Sequence, residues 1–314
     1  MTPAEAESIR NRALVALSNN RTPGYNFPGY FLDLQCTRYD TGGVVLEMDT
    51  GAHNTNPDGT THLAAVTCLA DFALAQACRT FVDPSIRTAT MALHLRFLGG
   101  EARGRLRAEA HSTGFSERTA LAEADCFGRL ISEGGEILRM SGTWARPPAP
   151  DGRAMHPLPW ARTEPALPAP LLKPGELDAM ERTAMRRVGQ SLRDAKDGEF
   201  ADRLWSPVVR RSGERALGRL PIGLHLGNRV GHVQGGFSIS TALFTAIAAV
   251  PHHPLLTAAS AWYISPGQGK GLSARSSVLQ RGRNVAVVRT ELLATGGKRV
   301  LEVISNHAVA RKAP

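Results

Sequence analysis

Residues 147 to 174, "PPAPDGRAMHPLPWARTEPALPAPLLKP", carry so many prolines that neither a helix interior nor a central strand can run through them. Regular structure must therefore form on either side, and the two sides read alike. The first opens with a helix over about residues 4 to 19. Strand-like segments follow around "FLDLQCTRYD" and "GGVVLEMDTG", then a polar loop, an apolar helix from His62 to Arg79, and alternating segments through Trp144. The second opens with the helical "ELDAMERTAMRRVGQSLRDA", then "LWSPVVRRS" and "ALGRLPIGLHLG", a polar loop, an apolar helix from Gly235 to Val250, and alternating segments to the end. The chain divides into residues 1–146, a proline-rich linker at 147–174, and residues 175–314.

Offsets fix the register of this repeat. Asn56 and Asn228 lie 172 residues apart, as do His62 and Gln234, which open the two apolar helices. Phe97 of "HLRFLGG" and Tyr263 of "SAWYISP" lie 166 apart, so the second copy has a deletion in between. Shared element order, an internal period and a linker between the copies together indicate a duplication. In the first copy the strands after the helix read "TATMALHLRFL", "RGRLRAEAHSTG", "RTALAEADCFG" and "ILRMSGTWA". An antiparallel sheet wrapped around a central apolar helix is the α+β arrangement that fits this order.

At 314 residues and 42% hydrophobic content there is apolar surface enough for a core in each copy. A net charge of +9 suits an anionic partner, nucleic acid or a small phosphorylated ligand. The arginines are scattered and only 6% of residues are aromatic, which supplies neither a basic patch nor a stacking platform and argues against nucleic acid. Cys36, Cys68, Cys78 and Cys126 lack CxxC spacing, a pattern of buried thiols in a reducing compartment rather than of disulfides or zinc. The N-terminus reads as an amphipathic helix with early acids, not a secretory signal, and no segment is long enough to span a bilayer. A cytoplasmic protein with no membrane partner is the expectation. His252 and His253, His111 and His307 have no metal-ligand spacing with acids or cysteines, and no metal is expected. No serine-hydrolase or P-loop pattern holds together.

Both copies resemble the hotdog fold of acyl-CoA thioesterases in the 4-hydroxybenzoyl-CoA thioesterase-like superfamily, in particular the phenylacetic-acid-pathway type. There the loop and helix read roughly N-x5-H-G-G, with an Asp nine residues after the His. The first copy has Asn56, His62, "LA" in place of the glycines, and Asp71; the second has Asn228, Gln234 in place of histidine, Gly235 and Gly236, and Leu243 where the aspartate should be. The resemblance extends past the helix into "WYISPGQGKGLSARSSVLQRGRNVAVV" and covers most of the chain outside the linker. Two copies in one chain also resemble the tandem thioesterases. The resemblance implies a double hotdog: two antiparallel sheets, each wrapped around a long central helix, packed as an internal pseudo-dimer. In dimeric relatives the carboxylate of one subunit faces the helix N-terminus and loop Asn of the other. Carried over, Asp71 faces Asn228, Gln234 and Gly235 in one composite site, while Leu243, Asn56, His62 and Leu63 form a second that lacks a carboxylate.

Thioester hydrolysis needs a donor for the oxygen that becomes negative. A backbone N–H at Gly235 supplies it together with the positive end of the helix dipole, and the missing side chain lets a carbonyl approach closely. Asn228 or Gln234 orients the loop or adds a second donor; the alternative is that "QGG" is merely a flexible helix start. Asp71 is the only carboxylate between His62 and Arg79 and shares a face with Ala64, Cys68, Ala75 and Cys78. Burial there raises a carboxylate pKa and makes it a better base. Direct attack to form an anhydride, activation of water, and a structural bond to strand backbone all stay open. Thr90, seven residues before Phe97, falls where relatives carry a Ser or Thr that positions the attacking water, although strand propensity alone also explains it. His62 reads as a helix cap. Arg281 and Arg283 in "QRGRN", with Lys270 and Arg275, are candidates for the phosphates of coenzyme A, against the plainer reading of a solvated basic face.

The function these residues imply is an acyl-CoA thioesterase-like hydrolase with Asp71 as base or nucleophile, Thr90 orienting water, and Gly235, Asn228 and Gln234 holding the carbonyl. Coenzyme A enters as part of the substrate, and no separate cofactor is expected. One rival is a hotdog acyl-CoA hydratase or dehydratase, against which Gln234 speaks because Gln cannot exchange a proton near neutral pH. The other is an inactive acyl-CoA binding protein. Assembly of the double-hotdog unit into a homo-oligomer is open.

Overall fold

The computed structural model describes residues 1–148, 155–161, 169–196 and 198–310. Each copy begins with a capped helix. In α1 (Pro3–Asn20) the Thr2 hydroxyl accepts from the Glu5 N–H and the Glu5 carboxylate accepts from the Thr2 N–H; Asp178 and Glu181 make the same reciprocal pair at the start of α4 (Ala179–Asp194). The two helices pack together, and Arg21 grips the buried Glu181 carboxylate with both ends of its guanidinium, at 2.7 and 2.8 Å.

Each long helix is followed by a short one, α2 (Phe27–Phe31) and α5 (Phe200–Trp205), where the sequence pattern suggested the start of a strand. Asn26 caps α2 by accepting from the Gly29 N–H, and Pro28 presets its first turn, so strand β1 (Gln35–Asp40) starts only after Phe31. Likewise Leu204 and Trp205 end α5, and β7 (Val208–Ser212) follows. The remaining strands are β2 (Gly43–Asp49), β3 (Ala89–Phe97), β4 (Arg105–Ser116), β5 (Glu123–Ser132), β6 (Gly135–Ala145), β8 (Arg215–Pro221), β9 (Leu255–Tyr263), β10 (Gly271–Arg281), β11 (Val285–Ala294) and β12 (Arg299–Ala308).

The strand order is β1-β2-β4-β5-β6-β3-β9-β12-β11-β10-β8-β7, antiparallel throughout. The first copy runs 1-2-4-5-6-3 and the second repeats that order in mirror sequence about the β3–β9 seam. This corrects the expectation of two separate sheets. Open strand edges carry unpaired N–H and C=O groups, and β3 and β9 satisfy theirs by pairing with each other, which leaves one 12-stranded sheet. Within the seam His94 pairs with Ser260, 166 residues on, and their side chains meet at 3.0 Å. A residue standing opposite its own repeat equivalent marks the local two-fold axis, so the seam reproduces the offset counted from Phe97 and Tyr263.

Helices α3 (Leu63–Arg79) and α6 (Gly235–Ala249) lie on the inner face, α3 against β2, β4 and β5 and α6 against β8, β10 and β11. Every α3 residue after Leu63 is buried, as expected of a helix apolar nearly all round. The helices run antiparallel against each other: Asp71 of α3 meets Gln234 at the start of α6, and His62 at the start of α3 packs on Phe244 of α6. They touch through backbone. The Thr67 hydroxyl donates to the Gly236 carbonyl at 2.8 Å, and a side chain on Gly236 would fall on the Thr67 carbonyl oxygen and 2.5 Å from the Cys68 Cα. The main hydrophobic core accordingly draws on both copies without a break.

Of the linker expected at 147–174, residues 149–154 and 162–168 lie outside the described residues. Its described middle packs onto the first copy: Met155 and Leu158 are buried, and the His156 N–H donates to the Pro23 carbonyl. Cys68, Cys78 and Cys126 are buried, Cys36 is half-buried, and all four are free thiols. Among the described residues no helix is long and apolar enough to cross a membrane.

Candidate active site

Asp71 sits midway along α3, only 4% exposed, where the N-terminus of α6 meets it. The Gln234 side chain is held at both ends. Its oxygen accepts from the Phe237 N–H at 3.1 Å, capping α6, and its nitrogen donates to Asp71 Oδ2 at 2.6 Å. On the other carboxylate oxygen, Thr90 Oγ1 of β3 donates to Oδ1 at 3.0 Å. The Gly236 N–H also bonds toward the carboxylate. Three elements from two copies therefore converge on one acid.

Burial pushes the Asp71 carboxyl up to about 6, against the Thr90 hydrogen bond, the Arg79 charge and the Gly236 N–H, which all favour the ionised form. A group poised there is largely ionised at neutral pH yet poorly solvated, which suits a base or nucleophile.

Gly235 is the first residue of α6, so its N–H has no intrahelical acceptor. A Cβ at this position would lie 2.8 Å from Asp71 Oδ2 and 2.9 Å from Oδ1, so any larger residue would push the acid aside. Tyr263 fixes the turn by donating its hydroxyl to the Gly235 carbonyl at 2.8 Å. Asn228 spends its side-chain oxygen on its own loop, accepting from the Val230 and His232 N–H groups at 3.0 Å each, which leaves the amide nitrogen to donate. Asp71, Thr90, Asn228, Gln234, Gly235 and Tyr263 all line one cavity of about 270 Å³.

The repeat equivalent of this site is filled. His62 caps α3, accepting from the Ala64 N–H at 3.3 Å, and its Nε2 meets Ser206 Oγ at 3.2 Å. Its ring packs against Trp205 and Phe244, and burial presses its pKa down. Leu243, at the position of Asp71, is fully buried, and Leu256 stands at the position of Thr90. Asn56 donates to the Thr60 hydroxyl within its own loop.

The cations named for coenzyme A do not form one cluster. Lys270 immediately precedes β10 and Arg281 ends it, roughly 35 Å apart by strand rise. Arg281 is also paired with Glu214 at 3.0 Å. Lys270, Arg275, Arg281 and Arg283 are all absent from the cavity lining, whereas Arg79, Arg87 and Arg229 are part of it. Sequence reasoning passed over these three. The available signal was Arg79, a single cation closing an otherwise apolar helix. Among the described residues no three His, Cys, Asp or Glu side chains gather closely enough to hold a metal ion.

No family model and no curated protein matches the sequence. Solved structures do match the fold. The tesB protein of Mycobacterium avium subsp. paratuberculosis aligns with a TM-score of 0.52 at 13% identity, covering 89% of this chain and 96% of that one. A Lactobacillus plantarum protein provisionally assigned as an oleoyl thioesterase aligns with a TM-score of 0.53 at 10% identity, over 85% and 96%. The 12:0-ACP thioesterase of Umbellularia californica gives 0.51 at 12% identity, over 84% and 92%. Matches that span nearly whole chains on both sides narrow the expected phenylacetic-acid-pathway likeness to the tandem, tesB-like kind. Over most of its length, this chain is similar in fold to the double-hotdog thioesterases.

Proposed function

We propose that the protein is an acyl-CoA thioesterase-like hydrolase that cleaves its substrate to a free acid and coenzyme A at a single composite site between the two copies. The observation that carries this reading is the Asp71 carboxylate, buried, raised in pKa, and held between Thr90 of one copy and Gln234 of the other at the start of α6. In the proposed reaction the thioester carbonyl lies at the α6 N-terminus. The Gly235 N–H, with the second N–H of Gln234 and the Asn228 amide, takes up the charge developing on its oxygen. Asp71 either removes a proton from a water held by Thr90, which adds to the carbonyl carbon, or attacks that carbon itself to give an anhydride that a water then opens; in both routes the C–S bond breaks, the thiolate of coenzyme A leaves and the acid is released. In the second site Leu243 replaces the helix acid, and the carboxylate beside His62, Asp202 at 3.9 Å, comes from α5 rather than α6, which supports one reaction centre per chain. Residues 1–146 and 175–314 are the two proposed hotdog domains, with 147–174 joining them.

The experiment is a panel of acyl-CoA esters scored for free thiol, repeated with Asp71→Asn. Thiol release that drops at least about a hundredfold in the variant is expected, from the usual contribution of a positioned acid or base. Release unchanged by the substitution overturns the site. Hydration of an enoyl-CoA without thiol release would favour the hydratase reading, and binding without turnover the inactive binder.

A further inference from the structure

Two turns along α3 from Asp71, Arg79 lines the same cavity, about 12 Å farther along the helix axis. Only 8% of it is exposed, and its Nε is buried without a hydrogen-bond partner among the described residues. The groups that favour its charge are the Cys78 thiol, the Tyr39 phenol and Asp71 itself, so no carboxylate other than the proposed reacting group compensates it. Arg229 stands nearby. It donates to the backbone carbonyls of Gly24 and His156 at 2.6 and 2.8 Å, and its Nη1 is buried and unpaired. Arg87 bonds the Pro148 carbonyl at 3.2 Å, with its Nε unpaired. The Trp144 indole N–H of the same lining is buried and unpaired as well.

This is not for want of acids in the chain, since surface arginines are paired, Arg105 with Asp49 and Arg289 with Glu302. Buried cations without an anion are costly, and a group of unpaired buried donors on one cavity wall asks for a ligand that accepts. Guanidinium and indole N–H groups donate only, and the planar fork of arginine matches a carboxylate. Between the two charged ends the α3 wall is apolar, formed by Phe72 and Ala75.

We propose, resting on the hydrolase reading above, that the acyl group this site accepts carries a carboxylate at its far end: the thioester carbonyl lies against Gln234 and Asp71, and the distal carboxylate is bound by Arg79 with Arg229 and Arg87 beside it. The substrate class is the mono-thioester of a dicarboxylic acid with coenzyme A. An acyl chain with a plain hydrocarbon tail would leave the buried Arg79 guanidinium unmatched, with Arg229 and Arg87 bonded only to backbone carbonyls, so it is the poorer substrate.

The test compares thiol release from adipyl- and suberyl-CoA with release from hexanoyl- and octanoyl-CoA, matched in length, by the wild-type protein, Arg79→Met and Arg79→Lys. For the wild type kcat/KM is expected to be at least about tenfold higher for the carboxylated ester of each pair, with the ratio falling to about one or below in Arg79→Met and partly restored in Arg79→Lys. A wild-type preference for the neutral esters overturns the proposal, as does an equal fall for both series in Arg79→Met. Free adipate is expected to raise the melting temperature of the wild type and not of Arg79→Met. No thiol release from any ester, with adipate still binding through Arg79, would sink the hydrolase reading and not the anion site. Protection by coenzyme A alone, lost in Arg79→Met, with none from adipate, would assign Arg79 to a phosphate and overturn the proposal.

Discussion

Among single residues Asp71 carries the chemistry proposed for this site. Its folded pKa, about 6, lies above the ordinary carboxylate value of 3.8, so the fold favours the protonated form. As a base or nucleophile it must be ionised, and kcat/KM for thiol release is expected to rise through pH 6 and level off above it. The same shift has the opposite sign for stability. The stabilising contribution of the neutral carboxyl is complete below about pH 4 and lost as pH rises through 6, at a cost of about 3 kcal/mol once ionised. Asp71→Asn is therefore expected to be about 3 kcal/mol more stable than the wild type at pH 8, with the difference vanishing near pH 4, in urea unfolding followed at both pH values. A variant that abolishes thiol release while stabilising the fold would mark Asp71 as a group retained for chemistry rather than for structure.

Among the elements, the crossing of α3 and α6 makes the steepest demand. Gly236 leaves no room for a methyl group, because the atoms it would meet are the backbone of Thr67 and Cys68 rather than movable side-chain ends. Gly236→Ala is expected to cost about 3 kcal/mol, the upper end of overpacking effects, read as a lower urea midpoint and lost thiol release as the helices separate. Much at this scale was legible in the sequence. The apolar runs, Asn56 and Asn228, and the His62 and Gln234 caps set both helices to within a residue of their ends. The short α2 and α5 were not, since five or six residues are too few for a helical period to show. The pairing of cavity arginines was equally out of reach, because Arg79, Arg87 and Arg229 come from separate segments and nothing in their spacing announces a shared wall.

For the whole molecule, duplication followed by unequal loss explains the architecture. The β3–β9 seam, with His94 opposite Ser260, joins the copies about a local two-fold axis, and across that axis each copy holds what the other lacks. Offsets in the sequence made this division visible, but the continuity of the sheet depended on edge pairing that no single-copy pattern encodes. Asp71 of the first copy and Gln234 of the second are expected to act as one unit. A double-mutant cycle on kcat/KM for thiol release, with Asp71→Asn, Gln234→Ala and the pair, tests it most directly. Strong non-additivity is expected, the double variant being no slower than Asp71→Asn alone within about twofold; losses that simply multiply would show the two side chains acting independently and overturn the composite site.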